Sequence, residues 1–148
     1  MIFRTTTMDD AEMLMRWRND PITVASFRSN RAVSLIEHTK WLRDRHKHAE
    51  KLTFICEDDG KPVGTVHMDK MEHKDNGYEV SVTVAPEARG RGLGASMLKM
   101  ICGAYPDATL YTEIKFDNPA SMKSFAAAGF VQIGSYGLWT QWRRMPLK

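Results

Sequence analysis

Cysteine is scarce in this sequence: the 148 residues contain two, Cys56 and Cys102. That rules against a disulfide-stapled scaffold. Both lie among apolar neighbours on what reads as a strand and a helix, so they are expected as buried free thiols suited to a reducing cytoplasm. Long apolar runs are missing, and no stretch approaches the roughly 20 residues that span a bilayer. The start, Met-Ile-Phe-Arg-Thr, has no basic head followed by an apolar segment, so secretion and membrane insertion are disfavoured and a cytoplasmic location is expected. One-sided charge is also lacking. Lys and Arg number 21 against 18 Asp and Glu, a net +3 spread along the chain with no tail or run, so nucleic-acid binding is not demanded. His38, His46, His48 and His73 fall in helical or loop contexts without metal-ligand spacing, and no metal site is expected.

What is present suits one globular domain over residues 1–148, with 43% hydrophobic and 26% charged residues and no internal repeat or low-complexity linker. Ile2 to Thr6 reads as a strand. Thr7 and Asp10 resemble a helix-start pair before the apolar positions Ala11, Leu14, Met15 and Trp17, and that helix should stop before Pro21. Ser34 and Glu37 form a Ser-x-x-Glu capping box for a second helix running through Trp41 and Leu42 into the basic stretch Arg43 to His48. Leu52 to Glu57 and Pro62 to Met68 are strands joined by Asp58-Asp59-Gly60-Lys61, a strong hairpin signal, and Tyr78 to Val84 makes a third strand. Leu93, Met97, Leu98 and Ile101 recur at helical spacing up to Gly103, before Pro106. Thr109 to Ile114 returns as a strand, and Asn118-Pro119 opens a helix that Gly129 ends. Phe130 to Ser135 and Leu138 to Arg144 close as a hairpin turning at Tyr136-Gly137. The order indicates a mixed α/β sheet.

The most informative stretch is Val82 to Gly94, Val-Thr-Val-Ala-Pro-Glu-Ala-Arg-Gly-Arg-Gly-Leu-Gly, where a β-branched strand runs through glycines into an apolar helix. A pyrophosphate needs several main-chain N–H groups converging on one point, no Cβ in the way and a helix N-terminus behind them. Arg89 to Gly94 supplies these, with Leu93 as the first apolar residue turned towards the sheet and Arg89 and Arg91 either offsetting phosphate charge or facing water. Three glycines also make a plain flexible connection. A dinucleotide-binding Gly-x-Gly-x-x-Gly loop would lie near the first strand, and Gly94-Ala95 departs from the Gly-Lys-Ser/Thr ending of a P-loop.

Arg89, Gly92 and Gly94 fit an Arg/Gln-x-x-Gly-x-Gly/Ala pattern, and Val82-Thr83-Val84-Ala85-Pro86 is similar to the strand that precedes it in the GNAT superfamily of acyl-CoA-dependent N-acetyltransferases. A second block resembles the same family: Asn118 and Ala120, then the aromatic Phe125, then Gly129-Phe130. The two blocks cover roughly the last half of the chain. The resemblance implies a central, mostly antiparallel sheet with a splayed parallel pair and about four flanking helices. It implies acetyl-CoA as co-substrate, its pantetheine arm in the gap between Tyr78 to Val84 and Thr109 to Ile114. On this resemblance the donor is held by Val82, Thr83, Val84, Arg89, Gly90, Arg91, Gly92, Leu93, Gly94, Ala95, Asn118 and Ser121.

Direct attack by an amine on a thioester requires a neutral, aligned amine and a general base. Glu79, at the head of the donor-binding strand where relatives place a carboxylate, is the candidate, with solvated strand-end Glu as its ordinary role. His67 ranks second. Relatives carry a tyrosine acid at the position matching Phe125, which has no proton to give. Tyr136 and Tyr111 are substitutes, water can protonate a thiolate of this kind, and the departure also fits impaired or different chemistry.

The first half should form the acceptor side. Its Trp-Arg-Asn and Glu-His-x-x-Trp pattern looks like GNAT members that acetylate nucleotide-linked amino sugars. Trp17, Arg18, Arg28, His38, Trp41 and His67 are the acceptor candidates, since aromatic faces stack on bases and arginines hold diphosphates. Core packing is the commoner role of each tryptophan. Protein N-terminal or lysine acetylation, small amines including aminoglycosides, and a sensor that binds acetyl-CoA without turnover stay open. The strand Leu138 to Arg144 is a surface on which a homodimer can pair, and buried packing accounts for it as well.

Overall fold

Apolar side chains alternate along the central strands, and the sheet they build has a helix layer on each face. The computed structural model describes residues 1–74 and 76–147. Seven strands, β1 (Ile2–Thr5), β2 (Lys51–Asp58), β3 (Lys61–Lys70), β4 (Gly77–Val84), β5 (Thr109–Lys115), β6 (Val131–Tyr136) and β7 (Trp139–Arg144), form one sheet in the order β1-β2-β3-β4-β5-β7-β6. Every neighbouring pair is antiparallel except β4 and β5. The mixed α/β sheet with one parallel pair matches the expectation. The β2–β3 turn has both Asp59 (φ 52) and Gly60 (φ 75) in the left-handed region, as a two-residue turn compatible with strand twist requires.

Among the described residues five helices flank the sheet, α1 (Ala11–Arg18), α2 (Pro21–Ser26), α3 (Leu35–His46), α4 (Leu93–Ala104) and α5 (Pro119–Ala127). This is one more than expected, and α2 is the addition. Pro21 does stop α1, but it also occupies the first turn of a new helix whose N-cap is Asp20, accepting from Thr23 N. The missing N–H of a proline costs nothing there. The Ser34–Glu37 box is present, with Ser34 Oγ accepting from Glu37 N and Glu37 Oε1 accepting from Ser34 N, both at 3.1 Å.

The two faces separate by strand parity. Thr53 of β2 stands opposite His67 of β3, and Arg45 of α3 donates to Thr53 Oγ1 at 2.7 Å, so odd-numbered side chains there meet α1 and α3. Gly64 of β3 lies against Met97 of α4, which places α4 on the other face. Leu42, Ile55, Val66, Met68, Val80, Met97, Leu98 and Leu110 are fully buried between these layers. Burial of each such side chain contributes about 1.5–3 kcal/mol. Cys56 and Cys102 are free buried thiols, and burial pushes Cys56 up to about 11. No helix among the described residues is long and apolar enough to cross a membrane.

Candidate functional site

β4 and β5 pair over only three positions, Gly77 with Thr109, Tyr78 with Leu110 and Glu79 with Tyr111, and then part. Thr112 Oγ1 donates to Val80 O at 2.9 Å, fixing Val80's main chain towards β5, while Ala85 N donates to Val63 O on β3 at 2.8 Å. Successive residues of a strand face alternate sides. The N–H and C=O groups of Val82 and Val84 therefore face the gap, an open edge of the kind an extended ligand can join as an added strand.

The gap widens into a cleft of about 820 Å³ lined by Glu79 to Val84, Arg89, Gly90, Gly92 to Gly94, Asn118, Ser121 and Phe125. Gly92 (φ 71) is the N-cap of α4 and Gly90 (φ 80) precedes it. A Cβ at either would meet nothing within 4 Å, so their fronts are open while their backbones need glycine. Open left-handed glycines at the start of a 12-residue helix suit a phosphate cradle. Asn118 caps α5, its Oδ1 accepting from Ser121 N at 3.2 Å.

The two arginines of the loop are already engaged. Arg89 Nη2 donates to Asp20 Oδ2 at 2.6 Å and to Thr23 Oγ1 at 3.0 Å, and Arg91 Nη2 donates to Asp58 Oδ2 at 2.9 Å. The Arg89 hydrogen bond holds the Asp20 carboxyl below the usual carboxylate range. Arg89 thereby ties the glycine loop to α2 rather than standing free for phosphate. Among the described residues of the loop, Arg89, Gly90 and Gly92 to Gly94 line the cleft and Arg91 and Ala95 do not.

A second cavity of about 380 Å³ lies on the α1/α3 face, walled by Trp17, Arg18, Phe27, His38, Trp41, Thr65, His67 and Thr83 among others. Thr83 and Phe27 line both spaces, so the cavity and the cleft adjoin there. His38 stacks on Trp41 (4.7 Å between centroids) and His67 meets the same indole edge-on (5.1 Å). Burial pushes His38 down to about 4, aided by Arg18, and pushes His67 down to about 3, aided by Arg45. Both imidazoles are neutral near pH 7.

Five of the six acceptor candidates therefore converge on one cavity. Arg28 is the exception. It ion-pairs with Glu113, donates to Tyr136 Oη at 2.9 Å and sits 4.4 Å over the Trp139 ring at the cleft. The segment after α2 carries it across to β5 and β7. Glu79 is exposed, at the last paired position before the strands part. Phe125 is buried edge-on to Phe130 (4.9 Å), and neither Tyr111 nor Tyr136 lines the cleft. Sequence reasoning missed Phe27, Thr112, Ser124 and Trp139; only Phe27 had a local signal, the overlooked Asp20-Pro21 helix start.

The family model described as "Acetyltransferase (GNAT) family" matches residues 11–130. No curated protein matches the chain by sequence. Among solved structures, the chain is similar to aminoglycoside acetyltransferase AAC(6')-Ib in complex with coenzyme A and kanamycin, at 16% identity and TM-score 0.81, covering 97% of this chain and 93% of that one. It is similar to a spermidine N-acetyltransferase SpeG chimera from Vibrio cholerae and hSSAT, at 14% identity and TM-score 0.83, covering 97% and 94%. It is also similar to a ribosomal-protein-alanine N-acetyltransferase from Brucella melitensis, at 23% identity and TM-score 0.74, covering 97% and 96%. At these identities the likeness establishes the fold.

Proposed function

Because the chain belongs to the GNAT acetyltransferase family, we propose that it transfers an acetyl group from acetyl-CoA to a primary amine by direct attack in a ternary complex, the acceptor being a nucleotide-linked amino sugar. The observation that carries this reading is the parted β4–β5 pair, with the main chain of Val82 and Val84 turned into the gap and the strand leading to the open glycines of α4. Bound acetyl-CoA supplies the activated acyl thioester.

The N–H groups of Val82 and Val84 hold the extended arm and stabilise charge developing on the thioester oxygen. Gly90 to Gly94 and the start of α4 take the pyrophosphate. As the amine nitrogen bonds to the acyl carbon and the C–S bond breaks, Glu79 removes the amine proton, directly or through water. Glu79 is favoured over His67 because it lines the cleft where β4 and β5 part, whereas His67 lines the front cavity instead. The departing thiolate, with a thiol pKa of roughly 8.5, takes its proton from water, which relieves Phe125 of that role. The aromatic walls Trp17, Phe27 and Trp41 suit a base or sugar face.

Isothermal titration with acetyl-CoA tests the donor, and no heat at millimolar ligand rejects it. Free-thiol release with amino-sugar nucleotides, peptides and small amines tests the acceptor; activity on peptides alone would make this a protein acetyltransferase. Phe125, where a proton donor would stand, favours a second reading as an acetyl-CoA sensor. Binding with silence across the panel would support it.

A further inference from the structure

Arg18 closes the last turn of α1 with its guanidinium carbon 4.1 Å above the Phe27 ring. Its Nη2 donates to Ser29 Oγ at 2.7 Å, and its Nη1 is buried with no partner among the described residues. Arg4, Arg28, Arg31, Arg45, Arg89 and Arg91 each pair with a carboxylate; among the described residues Arg16, Arg18, Arg43, Arg143 and Arg144 do not, and of these five Arg18 is the one that lines either the cavity or the cleft. Glu37 shares the cavity wall, but its oxygens are committed to Arg31 Nη2 and Ser34 N. With His38 and His67 neutral, the cavity holds one uncompensated positive charge among aromatic rings. Such a charge is costly unless a ligand supplies its counterion, and a guanidinium fork is shaped for two oxygens of one anion.

We propose that Arg18 is the specificity-determining residue of this cavity and that it takes an anionic group, phosphate or carboxylate, carried by the acceptor. The inference rests on the cavity being the acceptor side of the transferase. His67 Nδ1, also buried without a partner and on the same wall, offers the acceptor a second hydrogen-bonding point. The same charge repels polycationic amines, so spermidine and kanamycin are poor acceptors here. If Arg18 were a structural cation held by Phe27 and Ser29, its removal would loosen the fold and leave ligand choice unchanged.

The test compares wild type, Arg18→Met and Arg18→Lys by thermal unfolding and by isothermal titration with each probe. The probes are a UDP-linked amino sugar, free glutamate and spermidine. Arg18→Met should unfold no lower than wild type without ligand, because this half-buried guanidinium has no carboxylate partner to lose among the described residues. Its affinity for the anionic probe should fall about tenfold or more, with partial recovery in Arg18→Lys. Whichever of the sugar nucleotide and glutamate binds wild type identifies phosphate or carboxylate as the group. Equal affinity of wild type and Arg18→Met for every probe, or spermidine binding as tightly as the anions, overturns the proposal. These readouts need no turnover. A protein that binds the anion through Arg18 but gives no heat with acetyl-CoA would refute the transferase reading while leaving the anion site standing.

Discussion

Gly64→Ala should injure turnover more than stability. Gly64 lies on β3 opposite Val84, and a Cβ there would stand 2.7 Å from the Thr83 carbonyl oxygen and 2.7 Å from Met97 Cε. Ordinary contact begins at 3.4 Å, so relief requires a displacement of about 0.7 Å. Met97 can yield only within a full core, and the carbonyl belongs to the strand whose Thr83 lines both cavity and cleft. Overpacking of this kind costs about 1–3 kcal/mol, which lowers a urea midpoint by roughly 1 M. Misplacing reacting groups by about 1 Å costs on the order of 100-fold in rate, so kcat should fall by about tenfold or more. Urea denaturation and thiol release on acetyl-CoA measure the two effects. Gly103→Ala is the control: in α4, with nothing within 4 Å of its Cβ, it should gain about 0.5–1 kcal/mol at unchanged kcat. A Gly64→Ala protein with wild-type midpoint and turnover would refute the reasoning.

Glu79→Gln should lower kcat by about 100-fold or more while sparing the acetyl-CoA Kd, and unchanged turnover would remove Glu79 from the proton path. Gly92→Glu should abolish acetyl-CoA binding in calorimetry, because a carboxylate and a strained left-handed residue would replace an open N-cap. Ser34→Ala should cost about 1 kcal/mol in urea denaturation with no change in the acetyl-CoA Kd, since Ser34 caps α3 and does not line the cleft. Stability should also fall with acid. His38 at about 4 and His67 at about 3 lie below the ordinary 6.5, so below that pH the unfolded chain takes up protons that the fold refuses. The loss develops from about pH 6.5 down to the folded values and reaches on the order of 3 kcal/mol per histidine. His38→Gln should flatten the urea midpoint across that range, and a wild-type midpoint constant from about pH 7 to 4.5 would contradict the burial argument.

Features set by neighbours in sequence were legible. The Ser34–Glu37 box, the Asp59-Gly60 turn and the Asn118-Pro119 start each depend on residues three or fewer positions apart, and each has the expected geometry. Partners far apart in sequence were not legible. Arg89 reads as offsetting phosphate charge or facing water, yet its carboxylate partner is Asp20, 69 positions away. Arg28 reads with the tryptophans of the first half, yet Glu113 and Trp139 claim it. α2 went unread because a proline that ends one helix is also a favoured first residue of the next, and Asp20 serves both the cap and Arg89.

On the donor side the ligand-facing atoms of Val82 and Val84 are main-chain ones, whereas the front cavity is made of side chains. A point mutation replaces a side chain and leaves the peptide group in place, and proline alone deletes an N–H. Heritable change is therefore absorbed unequally across the strand that separates the two spaces. The β4 edge is instead reached by mutation through its neighbours, as at Gly64 and Gly92, whereas the side chains that wall the front cavity are replaced directly.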